Sequence, residues 1–542
     1  MTRLCNRHVS NGARYQGLSF CRPPGNRAKA FVDLAAGRQA GVMNMKRGAI
    51  RRLNWDGSRS VTDAYAEPRS GQTAAIRDVL DLAAPIGDLV KKSLAVAAGA
   101  GMAPVLDPEP KTAEDEAIAL LRIAAEVEGA LMAQYLFAAG SLLPNVSATI
   151  PGFPFPILSD DWYDLIRTIA KQEMGHLMTV QNLLLSLDAA PHLDRENFPL
   201  ESPLYPFPFS LQPVRLETLA KYVCAEAPHK VAPADQADYD EAVLKANAVV
   251  GEVPRAGQIY ERLFLLFQDS DAAQQPWPNL QNPFPHWPNW HVDAAKVGFN
   301  QDRQGDSSEW LSNSGSGPPD TSVYVIKVSD KATARDAIYK VALQGEGPVG
   351  DPGVTHFDKF LRIYREQRAV AGQPGAPAFA RNQADDPRTG LGKPATITDQ
   401  RSLAWAKLAN VRYQMLLMDV ALAVSIGSTG SAPGSTAKRK DFYGWAFTEM
   451  KGTIKPLGEE LRQMPLSAGA GPKDPRAGIP FELPNQNLPT GIGDQLQYMR
   501  DRLAESKSLR AQIESTFDPT PKQKDLLKLM GNIDSAIAAK IP

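Results

Sequence analysis

The feature that most constrains this fold is one long stretch, Asp160 to Ala190, DDWYDLIRTIAKQEMGHLMTVQNLLLSLDAA. Trp162, Leu165, Ile166, Ile169, Leu177, Val180, Leu183 and Leu184 recur at the spacing of one helix face. Glu173 and His176 fall inside that apolar stripe, three residues and so one turn apart. A carboxylate and an imidazole facing a core are costly unless something pairs with them. A metal ion is one such partner, and Glu-x-x-His is the element with which helical bundles hold metal pairs. The same spacing also occurs by chance on solvated faces, so other ligands have to be found elsewhere in the chain.

A length of 542 residues fits three or four domain-sized units, or one large core with long insertions. The formal net charge of -1 gives no argument for a nucleic-acid partner. No run of about twenty apolar residues suggests a membrane span. The 44 prolines point to long irregular connections between helices. Cys5, Cys21 and Cys224 form neither a disulfide framework nor a zinc-spaced pair, which fits reduced thiols and a cytoplasmic location.

Residues 1–70 are rich in arginine and poor in acid, and read as a disordered basic extension. Such a leader can mimic a transit peptide, but it lacks the apolar region of a secretory signal. Residues 71–111 are Ala-rich and broken at Pro85, and suggest a docking arm or short helices. The expected bundle spans 112–365. Residues 366–485 read as supporting helices and loops, and 486–542 as a helical hairpin around Pro519 and Pro521.

Within 112–365 the first strong helix is Thr112–Leu143, where Leu121, Glu128 and Tyr135 are spaced by seven. Glu128 is therefore a second carboxylate in an apolar stripe, while Glu126 lies toward the polar side. A Pro-rich crossover ends at Ser159-Asp160, a reasonable N-cap for the second helix. LETLAKYVCAEAPHK gives a short helix, and His192 and His229 sit in loops. The third bundle helix is placed near 236–270. There Glu261 is the best-placed carboxylate, with Glu252 as runner-up, and pairing with Arg262 or solvent is the alternative.

An aromatic loop over 271–320 carries Trp277, Trp287, Trp290, His286 and His291, and reads as self-packed or as a lid. SVYVIKV, 322–328, predicts a short strand. Ser329-Asp330 caps the next helix, which ends in QGEG, and THFDKFLRIYREQ resumes the helical pattern. Glu346 and His356 then make a Glu-x-x-His split by a loop, or a Gly-rich turn followed by an unrelated histidine. No Gly-rich nucleotide loop, nucleophile elbow or internal repeat is present.

EVEGALMAQYLFAAGSL, IAKQEMGHLMTVQNLLLSL, APHLDRENFP, PFPFSLQP, YVCAEAP, GQIYERL and VALQGEGPVGDPGVTHFDKF follow one another in this order. Together they resemble the ferritin-like domain of the iminophenyl-pyruvate dimer synthase family. That family is typified by violacein and rebeccamycin pathway enzymes that couple two imines made from aromatic amino acids. The resemblance covers roughly 112–365 and extends through PLGEELRQMP and PFELP to about 485. It implies a mainly all-α fold, a ferritin-like four-helix bundle with long irregular insertions and accessory helices. It also implies an iron site, probed by motif at Glu128, Glu173, His176, Glu261, Glu346 and His356. Tyr135 and Tyr260 are candidate catalytic residues beside the metals.

The expected cofactor is iron, two ions per chain. Heme also enters the pathway enzymes, but no heme attachment motif occurs here. The expected activity is that of a non-heme di-iron oxidase or oxygenase, with oxidative coupling of an aromatic amino-acid-derived imine as its specific form. Its partners would be a small-molecule substrate and dioxygen, with no nucleic acid, and a homo-oligomer is compatible. The competing expectations are metal handling of the ferroxidase type and a structural module that kept the bundle.

Overall fold

Helix α1, Ala113–Ser141, starts at a capping box: the Thr112 hydroxyl accepts from the Asp115 amide at 3.2 Å, and the Asp115 carboxylate accepts from the Thr112 amide at 3.1 Å. Alanines on several faces let neighbours approach from all sides, and α1 is buried along nearly its whole length. A computed structural model describes residues 112–541 except 201–206, 247–254, 275, 278–288, 311–321, 346–354, 391–394, 429 and 485–487. The expectations for residues 1–111, for Glu346, Glu252, His286 and Trp287, and for much of the aromatic loop lie outside the described residues.

The crossover after α1 closes through the two-residue strands β1, Ser147–Ala148, and β2, Ile157–Leu158, paired antiparallel. Helix α2 is Ser159–Ser186 and packs along α1. Ser159 is its first helical residue rather than its cap, and no side chain caps this end. Instead the Ser159 hydroxyl accepts from the Val146 amide at 3.0 Å, and Asp160 accepts from the Asn145 amide at 3.1 Å. Both side chains thus fasten the crossover.

Helices α3 (Leu216–Ala225), α4 (Gln236–Lys245) and α5 (Gly257–Leu266) follow. The single helix expected over 236–270 is therefore two separate ones. Helix α6 is Lys331–Gln344, capped by Asp330 through a capping box with Thr333. Helix α7 is His356–Ala371, capped by Thr355. The pair α1–α2 is completed by α3 packed on α7, with α6 on α5 beside them. The fold is mainly helical, with this bundle at its centre.

The strand expected at 322–328 is an extended segment with no strand partner. Side chains take the place of a second strand. Thr179 donates to the Tyr324 carbonyl at 2.9 Å and Asn182 to the Ile326 carbonyl at 2.8 Å. Gln304 accepts from the Val328 amide at 2.6 Å and donates to its carbonyl at 2.8 Å. The β-branched pattern of the segment is satisfied by packing on α2. Gly175 permits the close approach: a Cβ there would stand 2.6 Å from Val323 Cγ1 and 2.8 Å from the Tyr324 carbonyl oxygen.

The remaining helices are α8 (Gln400–Ser425), α9 (Arg439–Thr448), a π-helical turn at Glu449–Ile454, α10 (Lys455–Leu461), α11 (Ile492–Thr516) and α12 (Pro521–Ala538). Helix α8 is the buried spine on which α9, α11 and the π turn pack. Fully buried Arg412 joins them, donating to Glu449 at 2.6 and 2.8 Å, to Ser506 at 3.1 Å and to Asp534. Among the described residues no helix is long and apolar enough to cross a membrane.

Candidate metal centre

Glu173 lies on α2 where the apolar stripe faces α1, α3 and α7, and its two oxygens point to two different histidines. Oε2 is 2.9 Å from His176 Nδ1, and Oε1 is 2.9 Å from His356 Nδ1. Glu128 of α1 stands behind His176, with Oε2 3.6 Å from Nδ1. Glu226, which caps the C-terminus of α3, stands behind His356 in the same way, 3.5 Å from Nδ1. The result is two buried groups, Glu128–Glu173–His176 and Glu173–Glu226–His356, sharing Glu173; in each, the ligand atoms lie within 4.8 Å of one another.

The surroundings repeat the pattern. The Tyr260 hydroxyl donates to Glu128 Oε1, and the Tyr135 hydroxyl to Glu226 Oε1. His176 Nε2 is 3.0 Å from Gln344 Oε1, and His356 Nε2 is 3.2 Å from Gln172 Oε1. Both glutamines donate their amide nitrogens to one acceptor, the Ser322 carbonyl, at 3.1 Å from Gln172 and 2.9 Å from Gln344. That shared acceptor sets both amide orientations, so each Gln oxygen faces a histidine Nε2–H. Each Nδ1 is thereby turned toward the carboxylates. Orienting partners of this kind are what ligating histidines need.

Charge follows the geometry. Burial and the Glu173 charge push the Glu128 carboxyl up to about 8, against the pull of His176. Burial and the same charge raise Glu226. Burial alone would raise Glu173 too, but the His356 and His176 imidazoles outweigh it and hold its carboxyl below the usual range. Burial would lower both histidines, yet the carboxylates raise His176 and His356 above the usual imidazole range. Protons here hold together groups that a cation would otherwise hold, so cation binding releases protons.

A metal fits these residues on one further observation. Glu128 Oε2, Glu173 Oε1 and His356 Nδ1 are buried without a hydrogen-bond partner. His356 Nδ1 and Glu173 Oε1 are close enough to bond, but their directions are wrong for it. Unpaired buried atoms of this kind, Glu128 Oε2 in one group and Glu173 Oε1 with His356 Nδ1 in the other, are what a cation in each group would satisfy. Carboxylate oxygen and imidazole nitrogen suit a divalent transition metal.

Of the sequence-derived candidates, Glu128, Glu173, His176 and His356 are brought together. Glu346 lies outside the described residues. Glu261 is a correction. It follows Tyr260 on α5, and one residue is about 100° of helix rotation. Tyr260 therefore points into the cluster while Glu261 points away, 3.1 Å from Arg255 and 3.2 Å from His229. The carboxylate grouped with Glu173 and His356 is instead Glu226. The signal was present in LAKYVCAEAP: Leu219, Tyr222, Val223 and Glu226 share one helix face, and the first three are buried. Tyr135 and Tyr260 reach the carboxylates from outside, as positioning groups. Gln172 and Gln344 carried no sequence signal of their own. The second Glu-x-x-His is not repeated in form, because α7 begins at His356 and the residue three before it is Gly353.

The ferritin-like family model matches residues 121–365. Dichlorochromopyrrolate synthase from Lentzea aerocolonigenes is 23% identical over 454 residues, covering 77% of this chain and 41% of that protein. The chain thus spans about two-fifths of that relative's length. A solved ferritin-like protein from Caulobacter vibrioides is 16% identical, covering 63% of this chain and 94% of that one, with a TM-score of 0.35.

Proposed function

We propose, for a chain whose residues 121–365 form a ferritin-like domain of the iminophenyl-pyruvate dimer synthase family, that the buried cluster is a di-iron centre and the protein an oxidase or oxygenase. The observation that carries this reading is a pair of buried carboxylate–histidine groups that share Glu173, in which Glu128 Oε2, Glu173 Oε1 and His356 Nδ1 have no hydrogen-bond partner. Glu128, Glu173 and His176 would hold one ion, and Glu173, Glu226 and His356 the other, the two groups sharing Glu173.

Ferrous iron held by these residues would supply dioxygen activation. The protein's own residues do the rest. Tyr260 and Tyr135 fix the outer carboxylates, and Gln344 and Gln172 fix the histidine tautomers. Tyr222 and Phe360 pack on Tyr135 with centroids 4.8 Å away and keep that end apolar. The substrate is an aromatic, amino-acid-derived metabolite and oxidative coupling the specific reaction; likeness to a dichlorochromopyrrolate synthase supports a synthase of secondary metabolism. Complete burial of all five ligands also supports a second reading, metal handling of the ferroxidase type.

Metal analysis with Glu173→Ala tests the proposal. Two irons per chain in the wild type, and neither in the variant, support it. Metal-free wild-type protein after purification from iron-replete medium contradicts it. Oxygen consumption with ferrous iron that yields ferric iron and no organic product favours the second reading.

A further inference from the structure

A cavity of about 680 Å³ lies between the bundle and the supporting helices, on the other side of Ser322 and Val323 from the metal cluster. Its volume is in the range that holds a metabolite-sized ligand. The inner wall is apolar and comes from both halves of the fold: Met132 and Leu136 of α1, Met174 of α2, Leu416 of α8, with Phe447 and Ile479 opposite. Its outer part is different. Arg167 and Lys171 stand one turn apart on α2, and Lys451 and Lys455 face them from the π turn and the start of α10.

These four cations converge. Arg167 and Lys455 lie 5.5 and 5.7 Å from the same Tyr163 ring, which also lines the cavity. Arg167 pairs with Asp164 at 3.0 Å, but Lys171, Lys451 and Lys455 have no ion pair among the described residues. Glu459 is the sole acid in the lining. Three ammonium groups without an ion pair repel each other around one mouth, and the single lining acid, Glu459, does not neutralise them. An anion at the mouth would.

The geometry points to a binding site for an amphiphilic organic anion, its apolar body against Met132, Leu136 and Met174 and its acid group among Arg167, Lys171, Lys451 and Lys455. The cavity shares a wall with the cluster. Ser322 lines it and, through its carbonyl, receives the two glutamines that orient His176 and His356. Identifying this anion as the substrate rests on the di-iron reading; the binding itself does not.

The test uses metal-free full-length protein, so that it succeeds or fails apart from the iron site. 2-Naphthoate and its neutral isostere 2-naphthamide are titrated by calorimetry. Naphthoate binds the wild type at least about tenfold tighter than naphthamide, and the Lys451→Glu/Lys455→Glu double variant loses about tenfold in naphthoate affinity only. Lys507→Glu, an exposed charge outside the cavity, leaves both affinities unchanged. Leu136→Trp fills the apolar part and abolishes both. Since the double variant changes only exposed side chains, it keeps the test decisive if Leu136→Trp unfolds. Equal affinity for the two probes, no naphthoate binding up to millimolar concentration, or unchanged affinity in the double variant overturns the proposal.

Discussion

Replacing Glu226 and Glu261 by alanine, one at a time, separates the ligand set that the structure brings together from the one expected from the sequence. Glu226 is buried behind His356 and accepts from the Tyr135 hydroxyl. Losing a buried hydrogen bond costs about 1–3 kcal/mol. That cost is partly offset, because burial and the Glu173 charge already penalise the Glu226 carboxylate. Glu261 holds Arg255 at 3.1 Å and His229 at 3.2 Å, and its loss strands a mostly buried guanidinium, again about 1–3 kcal/mol. Urea unfolding of the metal-free proteins should therefore show similar, moderate losses for both variants. Metal binding should not be similar. Even residues that only orient a ligand are worth about 10–100-fold in metal affinity, so removing a ligand oxygen costs more. Glu226→Ala should retain at most one iron per chain by mass spectrometry of the dialysed protein, and Glu261→Ala should retain the wild-type complement. Full iron in Glu226→Ala together with depletion in Glu261→Ala would refute the assignment.

Gln344→Leu removes the acceptor 3.0 Å from His176 Nε2, and iron affinity measured by chelator competition should fall about 10–100-fold with folding intact. Arg412→Met leaves Glu449 buried without its cation and Asp534 with Arg510 alone, and chemical denaturation should show a loss of about 3–5 kcal/mol. Asp419 is fully buried on α8 with neither oxygen hydrogen-bonded, and burial, then the Glu449 charge, pushes its carboxyl well above the usual range. The folded chain keeps that proton while the unfolded chain releases it near pH 4. The stability it contributes is complete below the unfolded value and is lost as pH rises toward the folded one. Asp419→Asn should therefore flatten this part of the pH dependence and unfold at higher urea than the wild type at pH 8; an unchanged slope between pH 4 and 8 would count against the buried neutral acid.

The first half of the site was legible because two signals coincided. Glu128, Glu173 and His176 are polar residues at helical spacing inside apolar stripes, and such residues need a partner. Glu226 offered the same signal, but α3 spans only ten residues and the carboxylate sits at its cap, so the stripe was short. Glu261 misled because its neighbours are equally apolar, and one residue of rotation decides which of Tyr260 and Glu261 faces inward. The 322–328 segment carries a strand's composition, yet its backbone partners are side chains of α2 and Gln304, a pairing that local periodicity does not encode. His356 was found through its stripe with Phe357, Phe360 and Tyr364, but its supporting Gln172 is 184 residues away, and only the fold joins them.

Anomalous diffraction at the iron edge, from crystals grown with ferrous iron, tests the central claim most directly. The account requires two peaks per chain, one among Glu128, Glu173 and His176 and the other among Glu173, Glu226 and His356. An iron-replete crystal with no peak in the cluster, or with a peak beside Glu261, would contradict it.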